Sequence, residues 1–319
     1  MKRLLRASAA AAALLLLATG CGSGSSGTTT ESGKDVVSVG VIPIVDVAPI
    51  YLGKEQGFFA ERGIDLKLET SQGGAAIVPG VMSGQFQFGF SNVTSLLLGA
   101  AKGMPLRVTN AGVSSTGDPE NDYGAVVAAK NSDIRDAADL EGKTVAVNTL
   151  NNIGDTTVRE VVRQAGGDPS KVEFVELAFP DMPAAVQEGR VDAAWVVEPF
   201  VTIATQQGAR VVSANFAETH PKLMVASYFT TQEILQSDPD LAKRFAAAMN
   251  ESLAYAQHNP DEVRRILTSY SDIDKATANA ITLPRWPTEI NPEPVQRLAE
   301  LAVRDGLIGK APDVQELLP

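Results

Sequence analysis

From residue 37 onward the chain switches repeatedly between short runs rich in Val and Ile and longer stretches whose apolar residues recur at helical spacing. That alternation is the pattern of strands and helices laid in turn, and it confines the chain to the α/β class with mostly parallel sheets. Residues 37–42 read as a first strand. Residues 48–62 read as a helix with Ile50, Tyr51 and Phe58 on its apolar face and Gly63 as its stop. Strands over 64–68, 86–90 and 106–109, with helices over 76–83 and 92–102, complete a first unit. A second unit repeats the rhythm, with strands over 125–129, 143–148, 172–177 and 191–197, a helical turn at 136–140, and helices over 155–165, 182–189 and 200–208. A strand over 225–230 follows, and the tail is helical over 239–258, 260–270, 274–283 and 292–305. Two α/β lobes joined by strands that cross twice, near 124–129 and 225–230, place a ligand cleft at the C-terminal ends of the strands. The expected division is 37–124 plus 230–319 for the first lobe with its helical tail, and 125–229 for the second.

Ahead of that pattern lies an address. Lys2, Arg3 and Arg6 precede an apolar run over 7–17 that is too short to span a bilayer, and Leu17-Ala18-Thr19-Gly20 leads into Cys21, the only cysteine of the 319 residues. This reads as an export signal. The segment resembles a bacterial lipoprotein signal, which implies cleavage before Cys21 and acylation of its thiol. On that reading 1–20 is the signal peptide, and 21–36 is the acylated cysteine with a Gly/Ser/Thr tether, anchored to the outer face of the cell membrane. Gly22-x-Gly24-x-x-Gly27 spells a nominal dinucleotide fingerprint, but it follows no strand and opens no helix.

The charge balance and the shortage of reactive residues exclude several functions. The formal charge is −11, and it becomes −14 once the first twenty residues, with three basic and no acidic side chains, are removed. So acidic a surface argues against nucleic acid or anionic lipid headgroups as partners. A single cysteine allows no internal disulfide. The two histidines, His220 and His258, lie away from the expected cleft loops, and no His-Glu-x-x-His or Cys/His cluster is available for a metal. Gly89-Phe90-Ser91-Asn92-Val93 lacks the last glycine of a nucleophile elbow. The expectation is therefore no enzyme, no cofactor and no metal.

Four stretches carry a more specific resemblance. Gly40-Val41-Ile42-Pro43 with Asp46, Ala48, Pro49, Tyr51, Leu52 and Gly57-Phe58-Phe59 is the first. Gly84-Gln85-Phe86-Gln87-Phe88-Gly89 is the second, and Asp139-Leu140-Glu141-Gly142-Lys143 the third. Glu188-Gly189-Arg190-Val191-Asp192-Ala193, followed by Glu198-Pro199-Phe200, is the fourth. In this order they resemble the substrate-binding proteins of ABC importers in the nitrate, sulfonate, taurine and pyrimidine-precursor group, over roughly residues 37 to 300. The resemblance implies a type II periplasmic-binding-protein fold, acting as a monomer. It implies capture of a small solute between the lobes and delivery to a membrane permease and its ATPase. A small organic anion, of the sulfonate or aromatic carboxylate class, is the expected solute. A thiamine-pyrimidine precursor or an amine is the alternative, and a biosynthetic enzyme or a solute sensor on the same fold are further ones.

Loops after the strands and the N-termini of the helices that follow would carry specificity, because free N–H groups and the helix dipole point there. After the first strand these are Pro43, Asp46 and Tyr51; Asp46 can equally cap the helix beginning near Ala48, and Tyr51 can be core. After the third strand Ser91 and Asn92 serve either as caps or as ligand contacts. In the second lobe Asn148, Thr149, Asn152, Gly154, Asp155 and Thr156 precede a helix, and their amides and hydroxyls fit an oxyanion. Asp155 stands where the family often has Ser or Thr: facing the pocket it suits an amine, and as a cap it leaves the anion reading intact. Trp195 and Glu198 fall at a strand end where the family lines its pocket, with interlobe packing the other role for Trp195. Tyr228 lies on the returning strand. An aromatic content of 6% disfavours a pocket built wholly of stacked rings.

Overall fold

The computed structural model describes residues 33–319, so the signal segment and Cys21 lie outside the described residues. The strands are β1 (Asp35–Val41), β2 (Ile64–Thr70), β3 (Phe88–Asn92), β4 (Leu106–Ser114), β5 (Gly124–Ala129), β6 (Thr144–Val147), β7 (Glu173–Glu176), β8 (Ala193–Val197), β9 (Ala209–Ser213) and β10 (Met224–Thr231). They form two five-stranded sheets, ordered β2-β1-β3-β10-β4 and β7-β6-β8-β5-β9. In each sheet four strands run in the same direction, and the fifth lies antiparallel between the third and the fourth of them. The inserted strand is β10 in the first sheet and β5 in the second, so the chain crosses between lobes just before each of them. Because β10 hydrogen-bonds to β3 and β4, the returning strand belongs to the first sheet from Met224 onward.

Central strands are buried on both faces, which explains their nearly continuous apolar sequence. In β8, Ala193 to Val197 are all buried. The long helix Pro239–His258 starts at an Asp238 cap with Pro239 in its first turn. It lays Phe245 flat on Phe88 of β3, with ring centroids 3.8 Å apart. The C-terminal helices thereby cover the first sheet.

Several boundaries differ from the sequence reading. The first helix ends at Gln56, because Gly57 adopts a left-handed φ of 88° that L side chains rarely tolerate; a short 3-10 turn then follows. β4 runs five residues beyond the expected end, since the backbone of Asn110 to Ser114 still pairs with β10. The edge strand β9 and the helix Asn215–Thr219 were not anticipated.

On the side of the helix Ile153–Gln164 an ion network joins the lobes. Glu160, 3% exposed, lies 2.6 Å from Arg163 on its own helix and 2.6 Å from Arg297 on the helix Pro292–Arg304. Arg163 also pairs with Asp305 just beyond that C-terminal helix.

Candidate functional site

The winding direction changes between β1 and β3 in the first sheet and between β6 and β8 in the second, and ligands of open α/β sheets bind beyond the strand ends at such switch points. The two switch points bring together the segment after β1, the start of the helix after β3, and the segments after β6 and β8.

Three helix N-termini converge on Ser95. Asn92 caps the helix Val93–Ala101, its Oδ1 accepting the Ser95 N–H at 2.9 Å. Asn152 caps the helix Ile153–Gln164 by accepting the Ile153 N–H at 2.8 Å, and its Nδ2 donates to Ser95 Oγ at 2.8 Å across the lobes. The third N-terminus, that of the helix Gly74–Met82, packs so closely that a Cβ on Gly74 would lie 2.8 Å from Ser95 Oγ and 1.9 Å from Ser91 Oγ. Ser91 is accordingly buried against that helix. Ser95 was absent from the sequence reading; its spacing from Asn92, a cap and the third residue after it, is the signal that could have found it.

Asn148 and Thr149 reach the opposite wall. Asn148 Nδ2 donates to the Gln72 carbonyl at 3.3 Å, and a Cβ on Gly73 would stand 2.9 Å from Thr149 Oγ1 and 3.0 Å from Asn148 Nδ2. Gly73 has extended backbone, so a larger residue is tolerated there until the lobes meet. Gly73→Val is expected to hold the cleft ajar and weaken solute binding about tenfold, with the thermal midpoint of the ligand-free protein little changed. Calorimetry beside a melting curve checks this, and unaltered affinity would refute it.

The remaining second-lobe residues are largely occupied by their own surroundings. Asp155 Oδ2 accepts the N–H of Asn151, a residue held at a φ of 54°; burial pushes its carboxyl up, and Oδ1 has no protein partner. Thr156 donates back to the Asn152 carbonyl at 2.9 Å. Gly154 abuts Trp195, since a Cβ there would sit 2.6 Å from its ring. Trp195 is wedged also against Phe179 and Phe216, all within the second lobe rather than between the lobes, and its buried Nε1 has no protein acceptor. Glu198 accepts from the Thr202 N–H, the Thr202 hydroxyl and the Thr282 N–H, and burial pushes its carboxyl up. It fastens the second lobe to the C-terminal segment, while its carbonyl accepts the Val45 N–H of the first lobe at 3.1 Å.

Asp46 does not cap the helix that follows it: the cap is Val47, with no side-chain bond. The carboxyl sits inside a group of tyrosines. Tyr123 of the crossing segment donates to Oδ2 at 3.4 Å, Oδ1 has no protein donor, and burial pushes the pKa up to about 7, against the lowering by its own N–H and by Tyr123. Tyr228, fully buried, is pushed well above 10.0 by burial and then by the nearby Asp46 carboxylate, and its hydroxyl has no protein partner. Tyr51 stacks on Tyr270 at 4.0 Å, and Tyr270 donates to the Ile44 carbonyl. Trp286 donates to the Asp46 carbonyl at 3.1 Å. Tyr123, Tyr270 and Trp286 were absent from the sequence reading. Pro43 and Ile44 line a cleft cavity of about 250 Å³, faced by Phe179 and Phe200 from the second lobe.

A sequence model of the family described as NMT1/THI5 like matches residues 44–263. The chain belongs to that family. This NMT1/THI5-like protein is 23% identical over 283 residues to a putative aliphatic sulfonates-binding protein of Bacillus subtilis, covering 85% of this chain and 82% of the relative. It is 25% identical over 226 residues to the taurine-binding periplasmic protein of Escherichia coli, covering 70% and 68%. Its fold is similar to that of the alkanesulfonate-binding protein SsuA from Xanthomonas axonopodis pv. citri bound to MOPS, with a TM-score of 0.76, 18% identity, and coverage of 89% of this chain and 98% of that one. The NMT1/THI5-like chain therefore has the periplasmic-binding-protein fold and is a binding protein, not an enzyme.

Proposed function

We propose that this protein is the extracytoplasmic solute-binding component of an ABC importer, closing its two lobes over a small organic anion and presenting the closed form to a membrane permease and its ATPase. The observation that carries the reading is the convergence of three helix N-termini on Ser95, with Asn152 reaching it from the other lobe. Positive dipole ends suit a sulfonate or carboxylate without a counter-cation, and bonds made only when the lobes meet shift the population toward closure. Sulfonate and taurine binding by the relatives supports the same solute class. Within this reading Asn92, Ser95, Asn148, Thr149 and Asn152 face the solute. Ser91, Gly154, Thr156, Trp195 and Glu198 shape their positions. Anchoring through an acylated Cys21 and action as a monomer belong to the same proposal.

Thermal shifts of the purified protein test it, because a ligand that favours the native state raises the midpoint. Aliphatic sulfonates or aromatic carboxylates are expected to raise it by several degrees. A rise confined to thiamine-pyrimidine precursors or nitrate would replace the organic-anion reading, and no rise with any of these solutes would remove it.

A further inference from the structure

Four of the five tyrosines of the chain gather around one buried carboxylate. They come from the crossing segment (Tyr123), from β10 (Tyr228), from the first helix (Tyr51) and from the C-terminal tail (Tyr270). Asp46 is 2% exposed, and among the described residues no basic side chain pairs with it. The chain places its lysines and arginines elsewhere, chiefly in surface pairs and in the Glu160 network. A carboxylate buried without a cation is costly, and a buried polar atom without a partner calls for an explanation. Here two such atoms, Asp46 Oδ1 and the Tyr228 hydroxyl, belong to one cluster. The faces of aromatic rings attract a cation, and a carboxylate among them completes a site for one. Ile44 links the cluster to the cleft, since it lines the cleft cavity and its carbonyl accepts the Tyr270 hydroxyl.

We infer that Asp46, with Tyr51, Tyr123, Tyr228 and Tyr270, forms a subsite for a protonated amino group, so that the captured solute carries an ammonium as well as its anionic end. This rests on the importer reading for the anionic end and adds a second requirement to it. The sequence attached the question of an amine to Asp155 and Glu198. Glu198 has protein donors on both carboxylate oxygens; Asp155, like Asp46, keeps one oxygen without a partner, but it is Asp46 that the tyrosines surround. A neutral carboxyl could not discriminate in this way. The subsite therefore works with Asp46 ionised, and pairing with an ammonium favours that form.

Calorimetry with matched probes tests the inference: propanesulfonate against 3-aminopropanesulfonate, benzoate against 4-(aminomethyl)benzoate, and the plain amines propylamine and benzylamine, on the wild type, Asp46→Asn and Tyr228→Phe. The amino member of each anionic pair is expected to bind at least tenfold tighter than its amine-free match. Asp46→Asn should erase that preference, and Tyr228→Phe, which removes only the unpartnered hydroxyl, should shrink it. Equal binding of both members by the wild type, or a preference that survives Asp46→Asn, would overturn the subsite and leave the importer reading standing. Binding of the plain amines alone, lost in Asp46→Asn, would uphold the subsite and overturn the anionic end. Failure of all six probes on the wild type would overturn both.

Discussion

Replacing Asp46 by Asn is expected to stabilise the ligand-free protein above pH 7, by about 4 kcal/mol, and to leave its stability near pH 4 unchanged. The carboxyl keeps its proton in the folded chain until about pH 7, whereas in the unfolded chain it ionises around 3.8. Between those values the folded form holds a proton that the unfolded form has released, so stability falls as pH rises through the window and the whole cost stands above it. The interval from 3.8 to about 7, at about 1.4 kcal/mol for each pKa step, gives the magnitude. An amide of the same shape has no charge to desolvate, so the variant should lack the Asp46 part of that slope, while the parts due to the raised Asp155 and Glu198 carboxyls stay in both proteins. Other acids and tyrosines facing the cluster do not mimic the effect. Tyr51, Tyr123, Tyr228 and Tyr270 are all pushed up from 10.0 by burial, and they stay neutral throughout the window. The Asp122 carboxylate is held by the Ser115 hydroxyl and by the N–H groups of Thr116, Tyr123 and Ala217. For a chain of this size the difference corresponds to a rise in Tm on the order of 10 °C. Melting curves of both proteins from pH 4 to pH 8.5 measure it, and parallel curves across that range would show that Asp46 carries no such cost. A buried residue that weakens the empty protein, two positions from the cleft-lining Ile44, fits a role in holding a solute.

Why that cluster escaped the sequence is a matter of distance along the chain. Residues 46, 51, 123, 228 and 270 come from four separate elements, and only the double crossing between sheets gathers them. The low aromatic content argued against an aromatic wall; it did not foresee that nearly all the tyrosines would be spent on one place. Local signals were read far better. Asn92, read as a cap or a ligand contact, caps its helix, whereas in the second lobe the cap is Asn152 and not Asp155, which lies inside the first turn. The Val- and Ile-rich central strands were legible because burial on both faces leaves a continuous apolar run. β9 was missed because Ala209-Arg210-Val211-Val212-Ser213 lies at a sheet edge, only partly covered, and its alternation is too short to separate from a loop. Asp155 and Glu198 were marked as candidate ligands for their charge, and no local pattern reveals that N–H groups of Asn151, Thr202 and Thr282 reach them first.

The Glu160 network supplies the other large effect. The helix Ile153–Gln164 touches the first lobe at both ends: Asn152 meets Ser95 in the cleft, and two turns later Glu160 and Arg163 meet Arg297 and Asp305 of the C-terminal segment. A rigid helix pinned at two points resists rotation of its lobe. The arrangement that brings Asn152 to the solute is therefore the one in which the ion pairs form. Glu160→Gln keeps the shape, removes the charge, and leaves Arg163 with Asp305 and Arg297 with the more distant Glu300 at 3.9 Å. Removing one partner of a buried pair costs about 3–5 kcal/mol, but Arg297 is 35% exposed and water compensates part of that. A loss of about 2 kcal/mol of stability is expected on this basis. If about half of that loss falls on the closed arrangement alone, solute affinity drops about fivefold. Raising the salt concentration should narrow the gap between wild type and variant, since the arginine heads lie within reach of solvent ions. Denaturation and calorimetry on the same samples separate the two contributions. A variant that loses stability but binds the solute as well as the wild type would make the network a brace for one helix rather than a latch between lobes.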